Sequence, residues 1–268
     1  MNKIAVIAGA GKLPTLFLNE AVSQGYEVFP IYLFEEVDEE IKKYNNSVKF
    51  SVAQVGKILK YLKSKEIKKL IMLGKVEKKL IFSNLKFDLT ATKILMTTKN
   101  KKDKNILIAV INYLEQEGIE VMPQNYLLDK YMTKEFNYTK KVPDEDDMKT
   151  VKIGLEAAKM LTAIDAGQTV VVKNESVVAL EGIEGTDKTI ERAGEYAGKN
   201  CIIVKMARPS QDYRVDIPTI GIETIKKAAE IKAKGVIVEA DHMLFIDQEE
   251  VIKYADNNKI FIKGIKYE

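Results

Sequence analysis

The sequence opens with Met1-Asn-Lys-Ile-Ala-Val-Ile-Ala-Gly-Ala-Gly-Lys-Leu-Pro14, an apolar segment followed by a glycine turn. The apolar part, Lys3–Ala8, is too short for the apolar region of a secretory signal, and it predicts a first β-strand. Pro14 suits the first turn of a helix, because the N–H that proline lacks would have no partner there. The opening run therefore predicts the start of a βαβ unit.

The same alternation continues through the first 128 residues. Further strands are predicted at 27–34, 48–52, 69–73 and 119–122, with helices at 14–25, 54–64 and within 88–118. Gly25 is expected to be the residue just past the end of the first helix. Strands that alternate with helices predict a parallel sheet with right-handed crossovers, so residues 1–128 are interpreted as a Rossmann-like α/β domain.

A polar, irregular stretch at 129–147 is interpreted as a linker to a second α/β domain with a mixed sheet at 148–268. Asn174-Glu175 between two apolar segments predicts a β-hairpin. The other strands are expected at 201–205, 235–239, 243–247 and 259–264, and helices at 148–161, 186–196, 221–234 and 248–257.

Composition excludes several classes of function. The chain has 268 residues, of which 46% are hydrophobic and 30% charged, and a net charge of only +3 argues against nucleic acid as the partner. Its apolar runs fall short of the ~20 residues that cross a bilayer. Cys201 is the single cysteine, so an intramolecular disulfide is excluded. These features predict a cytoplasmic protein.

The histidine count restricts the chemistry further. His242 is the single histidine, so a two-histidine zinc site is excluded. A serine hydrolase of the G-x-S-x-G type is also excluded, because that motif does not occur. Any metal is therefore expected to be held by carboxylates, which favour Mg²⁺ or Mn²⁺.

The first candidate segment is the glycine turn with Gly9, Gly11 and Lys12. Backbone N–H groups at a helix N-terminus attract phosphate, although an ordinary tight turn explains the same residues. Pro14 stands where a dinucleotide fingerprint has its third glycine. Lys75 follows the predicted strand 69–73, where it can meet an anionic group or simply lie on the surface.

The second candidate segment is Glu181-Gly-Ile-Glu-Gly-Thr-Asp187. Gly185 and Thr186 are candidates to hold a phosphate at the start of a helix, and Glu184 and Asp187 are candidates to hold Mg²⁺. A capped helix start after a strand explains these residues equally well.

The third candidate segment is Arg214-Val-Asp-Ile-Pro-Thr-Ile-Gly221. An extended backbone would place Arg214 and Asp216 on the same face. A carboxylate beside a guanidinium suits phosphoryl chemistry, and Thr219 is a further candidate for substrate contact. The alternative interpretation is a structural ion pair.

Together these segments resemble the LpxI-type UDP-2,3-diacylglucosamine pyrophosphatases of lipid A biosynthesis, over nearly the whole chain. The resemblance is carried by Ile7–Pro14, Gly74–Val76, Asp165–Val172, Val178–Asp187, Arg192 and Arg214–Gly221.

The resemblance implies a Mg²⁺-dependent hydrolysis of UDP-2,3-diacylglucosamine to UMP and 2,3-diacylglucosamine 1-phosphate, lipid X. It implies that Asp216 is essential for catalysis. In a hydrolysis of this kind, Arg214 and Arg192 are expected to stabilise charge on the phosphate oxygens. Asp216 is a candidate either to bind the metal or to act as the base, and Asp187 and Glu184 are the other candidate metal ligands. A diacylated substrate also implies peripheral contact with the inner membrane.

Two other functions remain open from the residues alone. A nucleotide-dependent oxidoreductase would use Glu35, which follows the second predicted strand, to contact a ribose. A non-enzymatic lipid- or nucleotide-binding protein would bind the ligand without turnover. A homo-oligomer is compatible with the sequence.

Overall fold

The structure is a computed structural model that describes residues 2–75, 87–98, 103–209 and 211–267. The chain divides into two compact units. The first comprises Met1–Asp129 together with Asp212–Asp216, and the second comprises Lys130–Gln211 and Ile217–Glu268.

The first unit contains the predicted parallel sheet. Its strands are β1 (Asn2–Ala8), β2 (Tyr26–Tyr32), β3 (Val48–Lys49), β4 (Lys69–Leu73) and β5 (Glu120–Met122), in the order β3-β2-β1-β4-β5. Its helices are α1 (Leu13–Ser23), α2 (Glu39–Lys42), α3 (Val55–Ser64), α4 (Leu89–Thr97) and α5 (Asp103–Gln116). Every strand pair in this sheet is parallel, which confirms the predicted fold class.

Local sequence explains how the first βαβ unit forms. Residues 4–8 of β1 are buried on both faces, as expected for a central strand covered by helices. Pro14 lies in the first turn of α1 and Gly25, with a φ of 80°, follows its end, so both predictions are confirmed. The stretch 88–118, which was predicted to be helical, contains α4 and α5. The residue before α4 is Asp88, whose side chain accepts a hydrogen bond from the Ala91 N–H.

The second unit has the predicted mixed sheet. Its strands are β6 (Thr169–Lys173), β7 (Ser176–Leu180), β8 (Ile202–Lys205), β10 (Gly235–Glu239) and β12 (Phe261–Ile265), in the order β12-β10-β8-β6-β7, while β9 (Thr219–Ile220) pairs with β11 (Leu244–Phe245). Its helices are α6 (Glu145–Ala163), α7 (Thr186–Ala197), α8 (Ile222–Glu230) and α9 (Gln248–Asn257), and a short 3-10 helix lies at Asp129–Tyr131.

The sheet is mixed because one hairpin reverses direction. Asn174 and Glu175 have φ values of 48° and 57°, the left-handed conformation that a type I′ turn requires. The hairpin β6–β7 is therefore confirmed, and β6 also runs antiparallel to β8. A capping box between Asp144 and Asp147 starts α6 three residues before the predicted helix.

The polar stretch before α6 packs on the second unit. The buried hydroxyl of Thr133 donates to the carbonyl of Glu239 at 2.6 Å, and the Ile262 N–H donates to the Thr139 hydroxyl at 2.8 Å. In the described ranges, none of the helices is both long and apolar enough to cross a membrane.

Candidate active site

The loops after β1 and β4 meet at the carboxyl edge of the first sheet. The strand order reverses between these two strands, since β2 lies on one side of β1 and β4 on the other. Ligands of open α/β sheets bind outside the carboxyl ends of the strands at such a switch point. The structure therefore brings Gly9–Lys12 and Lys75 to the edge where a ligand is expected.

Two glycines allow these loops to touch. The Gly9 N–H donates to the Leu73 carbonyl at 2.7 Å, and Ala10 and Lys75 exchange backbone hydrogen bonds of 2.8 and 2.9 Å. A Cβ atom on Gly9 would lie 2.6 Å from the Lys75 carbonyl oxygen, and one on Gly74 would lie 2.7 Å from the Gly9 carbonyl carbon. Gly9 is thus needed for packing in addition to its predicted phosphate contact.

The start of α1 supplies the charge and the backbone donors of this edge. Gly11 has a φ of 103°, and Lys12 is the residue that precedes the helix. The first N–H groups of a helix have no intrahelical partner and favour an anion. Lys12 and Lys75 are both exposed and add positive charge. Val76, at the end of the Gly74–Val76 run, lies outside the described residues.

Arg214 is held by two carboxylates of the first unit. Its Nε and Nη2 atoms donate to the two oxygens of Asp212 at 3.0 and 2.8 Å, and its Nη1 donates to Glu115 of α5 at 2.8 Å. The hydrogen bond to Asp212 and then that to Glu115 raise the pKa of the Arg214 guanidinium above its usual range. This arrangement agrees with the structural ion pair left open by the sequence, although the carboxylate partners differ from Asp216.

The backbone between Arg214 and Asp216 is not extended. Residues 213–215 form a turn, in which the N–H groups of Val215 and Asp216 both donate to the Asp212 carbonyl. The Asp212 side chain also accepts the Arg214 N–H at 3.0 Å, an interaction that stabilises a turn two residues on. The side chain of Asp216, at the end of the turn, is exposed.

One side chain missed in the sequence, Gln124, joins the turn to the sheet. Its side-chain NH₂ donates to the carbonyl of Met72 in β4 at 2.7 Å and to the carbonyl of Val215 at 3.2 Å. Its backbone N–H donates to the Tyr213 carbonyl at 2.7 Å. The available signal was a polar residue just past the carboxyl end of the apolar strand β5.

In the second unit, the loop before α7 is held internally. Arg192 Nη2 donates to the Leu180 carbonyl at 2.9 Å and to Glu184 Oε1 at 2.7 Å. The Gly182 N–H donates to Glu184 Oε2 at 3.1 Å. Arg192 and Glu184 therefore fix this loop, and their predicted phosphate and metal contacts stay predictions.

The candidate phosphate residues lie at the start of α7. Gly185 precedes the helix with a φ of 82°, and its lack of a side chain leaves the first N–H groups uncapped. The Thr186 hydroxyl is 3.1 Å from that of Thr169 and donates to Glu181 at 3.2 Å. Asp187, in the first turn, is exposed.

The Glu184–Arg192 contact predicts a pH dependence of this loop. The hydrogen bond with its own backbone N–H and then that with Arg192 lower the pKa of Glu184 below 4.5. A depressed pKa in the folded state means that the contact is complete above pH 4.5 and is lost as the pH falls through the lower value. We expect the Gly182 amide NMR signal to titrate with a midpoint below 4.5.

Arg192→Ala should move that midpoint upward, because the arginine favours the charged carboxylate. A midpoint that Arg192→Ala leaves in place would contradict the contact.

Two charged residues at the carboxyl ends of β8 and β10 are buried. Lys205 Nζ donates to the carbonyl of Thr219 at 3.1 Å, so the lysine holds β9, which lies within the Arg214–Gly221 run. Glu239 accepts the Ala207 N–H at 2.7 Å. Sequence reasoning missed both, yet each ends an otherwise apolar strand, a pattern that marks a ligand edge or a structural anchor in parallel sheets.

The described carboxylates could give Mg²⁺ only a small set of protein ligands. Across the described ranges, three or more His, Cys, Asp or Glu side chains nowhere form a group suited to a metal ion. Mg²⁺ commonly takes one or two protein carboxylates and completes its coordination with substrate phosphates and water. The exposed Asp216 and Asp187 fit that limited role, whereas the Glu184 carboxylate already accepts hydrogen bonds from Arg192 and Gly182.

Two solved structures show a weak similarity to this chain. A glycinamide-RNase-transformylase T from Mycobacterium tuberculosis has a TM-score of 0.26 and 10% identity, covering 67% of this chain and 44% of that one. A CobK precorrin-6A reductase has a TM-score of 0.29 and 10% identity, covering 100% of this chain and 90% of that one. Neither TM-score establishes a shared fold.

Sequence comparison covers the whole chain. UDP-2,3-diacylglucosamine pyrophosphatase LpxI of Caulobacter vibrioides is 28% identical over 276 aligned residues, which cover 99% of this chain and 98% of the relative. The LpxI N-terminal domain matches residues 3–131, and the LpxI C-terminal domain matches residues 134–263. The chain therefore belongs to the LpxI family.

Proposed function

We propose that this protein hydrolyses the pyrophosphate bond of UDP-2,3-diacylglucosamine and releases UMP and 2,3-diacylglucosamine 1-phosphate. The observation that carries the proposal is the end-to-end match to a relative named for this substrate. Both domains of the LpxI family are matched as well, so the proposal does not depend on one shared module.

The first unit supports the proposal with an anion-binding edge. A pyrophosphate carries negative charge that must be neutralised before water can attack it. Gly11, Lys12 and the first N–H groups of α1 offer donors at the switch point, and Lys75 adds a second positive charge. We assign the phosphate groups to this edge.

Asp216 is assigned the central role in the reaction. It is exposed at the end of a turn that is held by the ion pairs of Arg214 and by the packing of Val215. An exposed carboxylate held on a fixed backbone can orient a water or bind a cation, and both roles assist attack on phosphorus. Arg214 is assigned a supporting role in the proposal, because Asp212 and Glu115 bind its guanidinium.

Mg²⁺ is part of the proposal. When bound, it neutralises phosphate charge and lowers the pKa of a coordinated water. Asp216 is proposed as a ligand in the first unit, and Asp187 is proposed as a ligand in the second unit. In the second unit, Thr186 and the N–H groups at the start of α7 are further donors for a phosphate oxygen.

The diacylated substrate places the reaction at the cytoplasmic face of the inner membrane, with the protein as a peripheral partner. Large apolar side chains are exposed in the structure, among them Leu89 and Met96 of α4 and Ile183 in the loop before α7. Exposed apolar groups of this kind can contact acyl chains.

The oxidoreductase alternative is less well supported. It needs Glu35 to accept hydrogen bonds from a ribose, but the Glu35 carboxylate pairs with Lys49 and Lys42. Pro14 in the first turn of α1 also replaces the third glycine of the dinucleotide fingerprint.

The direct test is an assay of the purified protein with UDP-2,3-diacylglucosamine in detergent micelles. UMP should appear in the presence of Mg²⁺, should stop when EDTA is added, and should resume when Mg²⁺ is restored in excess. UDP-glucose, which has no acyl chains, is the control for lipid specificity. Absence of UMP with Mg²⁺, Mn²⁺ and Co²⁺ alike would reject the proposed reaction.

A further inference from the structure

We propose that Gln124 is a positioning residue that fixes the backbone of Asp216 against the central strand β4. The inference rests on the proposed function, because it assigns Gln124 a role in a reaction centred on Asp216. Gln124 belongs to none of the motifs that point to the reaction.

The segment that carries Asp216 belongs to the first unit. Residues 212–216 follow β8 in sequence, yet they belong to the compact unit formed by residues 1–129. Val215 packs against the hydrophobic core of that unit. Asp216 is therefore placed by the first sheet, although its neighbour Ile217 belongs to the second unit.

The side-chain amide of Gln124 is buried and contacts two carbonyl groups. Gln124 is 7% exposed, and both of its side-chain contacts to carbonyls are within hydrogen-bond distance. Met72 lies in β4 two residues before Gly74, and Val215 directly precedes Asp216. One NH₂ group thus links the strand that leads to the glycine loop with the peptide that leads to Asp216.

The rigidity of the turn depends on these hydrogen bonds. Buried amides with satisfied hydrogen bonds hold one geometry, because breaking them leaves polar groups without partners. The ion pairs of Arg214 with Asp212 and Glu115 also hold this turn, but the side chains that form them are partly exposed to solvent. Gln124 is therefore a buried constraint on the position of Asp216.

The test compares Gln124→Met with Tyr126→Phe. Methionine keeps the length and volume of glutamine and removes its donors. Tyr126 is two residues away, and its hydroxyl bonds to Tyr26 and Lys69 at the starts of β2 and β4, the opposite edge of the sheet. Tyr126→Phe thus removes half-buried hydrogen bonds from the same loop without changing a contact of the Asp216 turn.

We expect Gln124→Met to lower kcat for UDP-2,3-diacylglucosamine by about 10- to 100-fold, with KM changed by less than about threefold, because small displacements of a reacting group cost up to about 100-fold. Amide hydrogen exchange in the peptide that covers 212–216 should accelerate. Tyr126→Phe should leave kcat and this exchange within about twofold of the wild type.

A second variant keeps the test decisive if Gln124→Met does not fold. In Gln124→Glu, only the protonated carboxyl can donate to the Val215 carbonyl. The ratio of its kcat to that of the wild type should therefore rise as the pH is lowered, measured at a temperature at which melting curves show both proteins folded at every pH. A ratio that stays constant with pH under these conditions would contradict the inference.

Three results for Gln124→Met would also overturn the inference: a kcat loss no larger than that of Tyr126→Phe, a change confined to KM, or unchanged exchange at 212–216. An inactive wild-type protein is a different failure, since it rejects the proposed function. The exchange measurement then still decides whether Gln124 holds the turn.

Discussion

Asp216→Ala should abolish UMP release while the protein stays folded and still binds UDP-2,3-diacylglucosamine. Asp216 is exposed, so removing its carboxylate leaves no buried cavity. The turn that carries it is held by the contacts of Gln124, Val215 and Arg214, which the substitution leaves in place. The loss should therefore fall on the chemical step.

The expected loss in kcat is about 10³-fold or more, in line with the removal of a group that moves a proton or holds the activating cation. Asp216→Asn preserves the shape and removes the charge, and it should be nearly as inactive. Asp129→Asn is the charge-matched control, because Asp129 is an exposed acid of the same unit outside the predicted site. Its kcat should stay within about twofold of the wild type.

Melting temperature and substrate binding complete the experiment. Both should match the wild type in Asp216→Ala, and equilibrium binding can be followed by titration calorimetry with substrate in micelles. If Asp216→Ala keeps more than about a tenth of the wild-type kcat, Asp216 has neither role. If Asp216→Asn regains turnover at high Mg²⁺, metal binding is favoured over proton transfer.

The first sheet could be predicted because each strand is marked locally. The prediction for β4, Lys69–Leu73, matches the structure at both ends, since the apolar run is bounded by Lys68 and Gly74. β3 is shorter than the predicted strand 48–52. It pairs only with Ile31 and Tyr32 at the edge of the sheet, and strand length at an edge depends on the neighbour and not on the segment alone.

The Arg214 run shows where local inference fails. A two-residue spacing shares a face only in extended backbone, and Asp212 instead accepts the Arg214 N–H and closes a turn. That signal was available in the sequence. The partner Glu115 was not, because it lies 99 residues away in sequence and is brought to Arg214 by the tertiary fold.

The same limit explains why Gln124 was missed. A glutamine after Pro123 looks like any polar loop residue, and its importance depends on two carbonyls, 52 and 91 residues away in sequence. The glycine turn was identified by its composition. Glycine is also needed at position 9 because the backbone there contacts Gly74, and neither segment indicates this contact by itself.

Gly74→Ala should destabilise the first unit strongly. Gly74 has a φ of 87°, a conformation that costs a residue with a side chain about 1–3 kcal/mol. The new Cβ would also lie 2.7 Å from the Gly9 carbonyl carbon and 2.8 Å from the Ala10 carbonyl oxygen, and overpacking of backbone typically costs about 1–3 kcal/mol more. The conformational cost and the overpacking together should lower the free energy of unfolding by about 2–6 kcal/mol.

Gly118→Ala separates the conformational cost from the cost of the steric clash. Gly118 follows α5 with the same φ of 87°, but a Cβ there meets no atom within 4 Å. Both variants bear the conformational cost and only Gly74→Ala has the clash, so Gly74→Ala should melt several degrees below Gly118→Ala at about 2–4 °C per kcal/mol. Scanning calorimetry measures the difference. Equal melting temperatures would mean that the loops after β1 and β4 do not touch, and the anion-binding edge assigned to them would lose its basis.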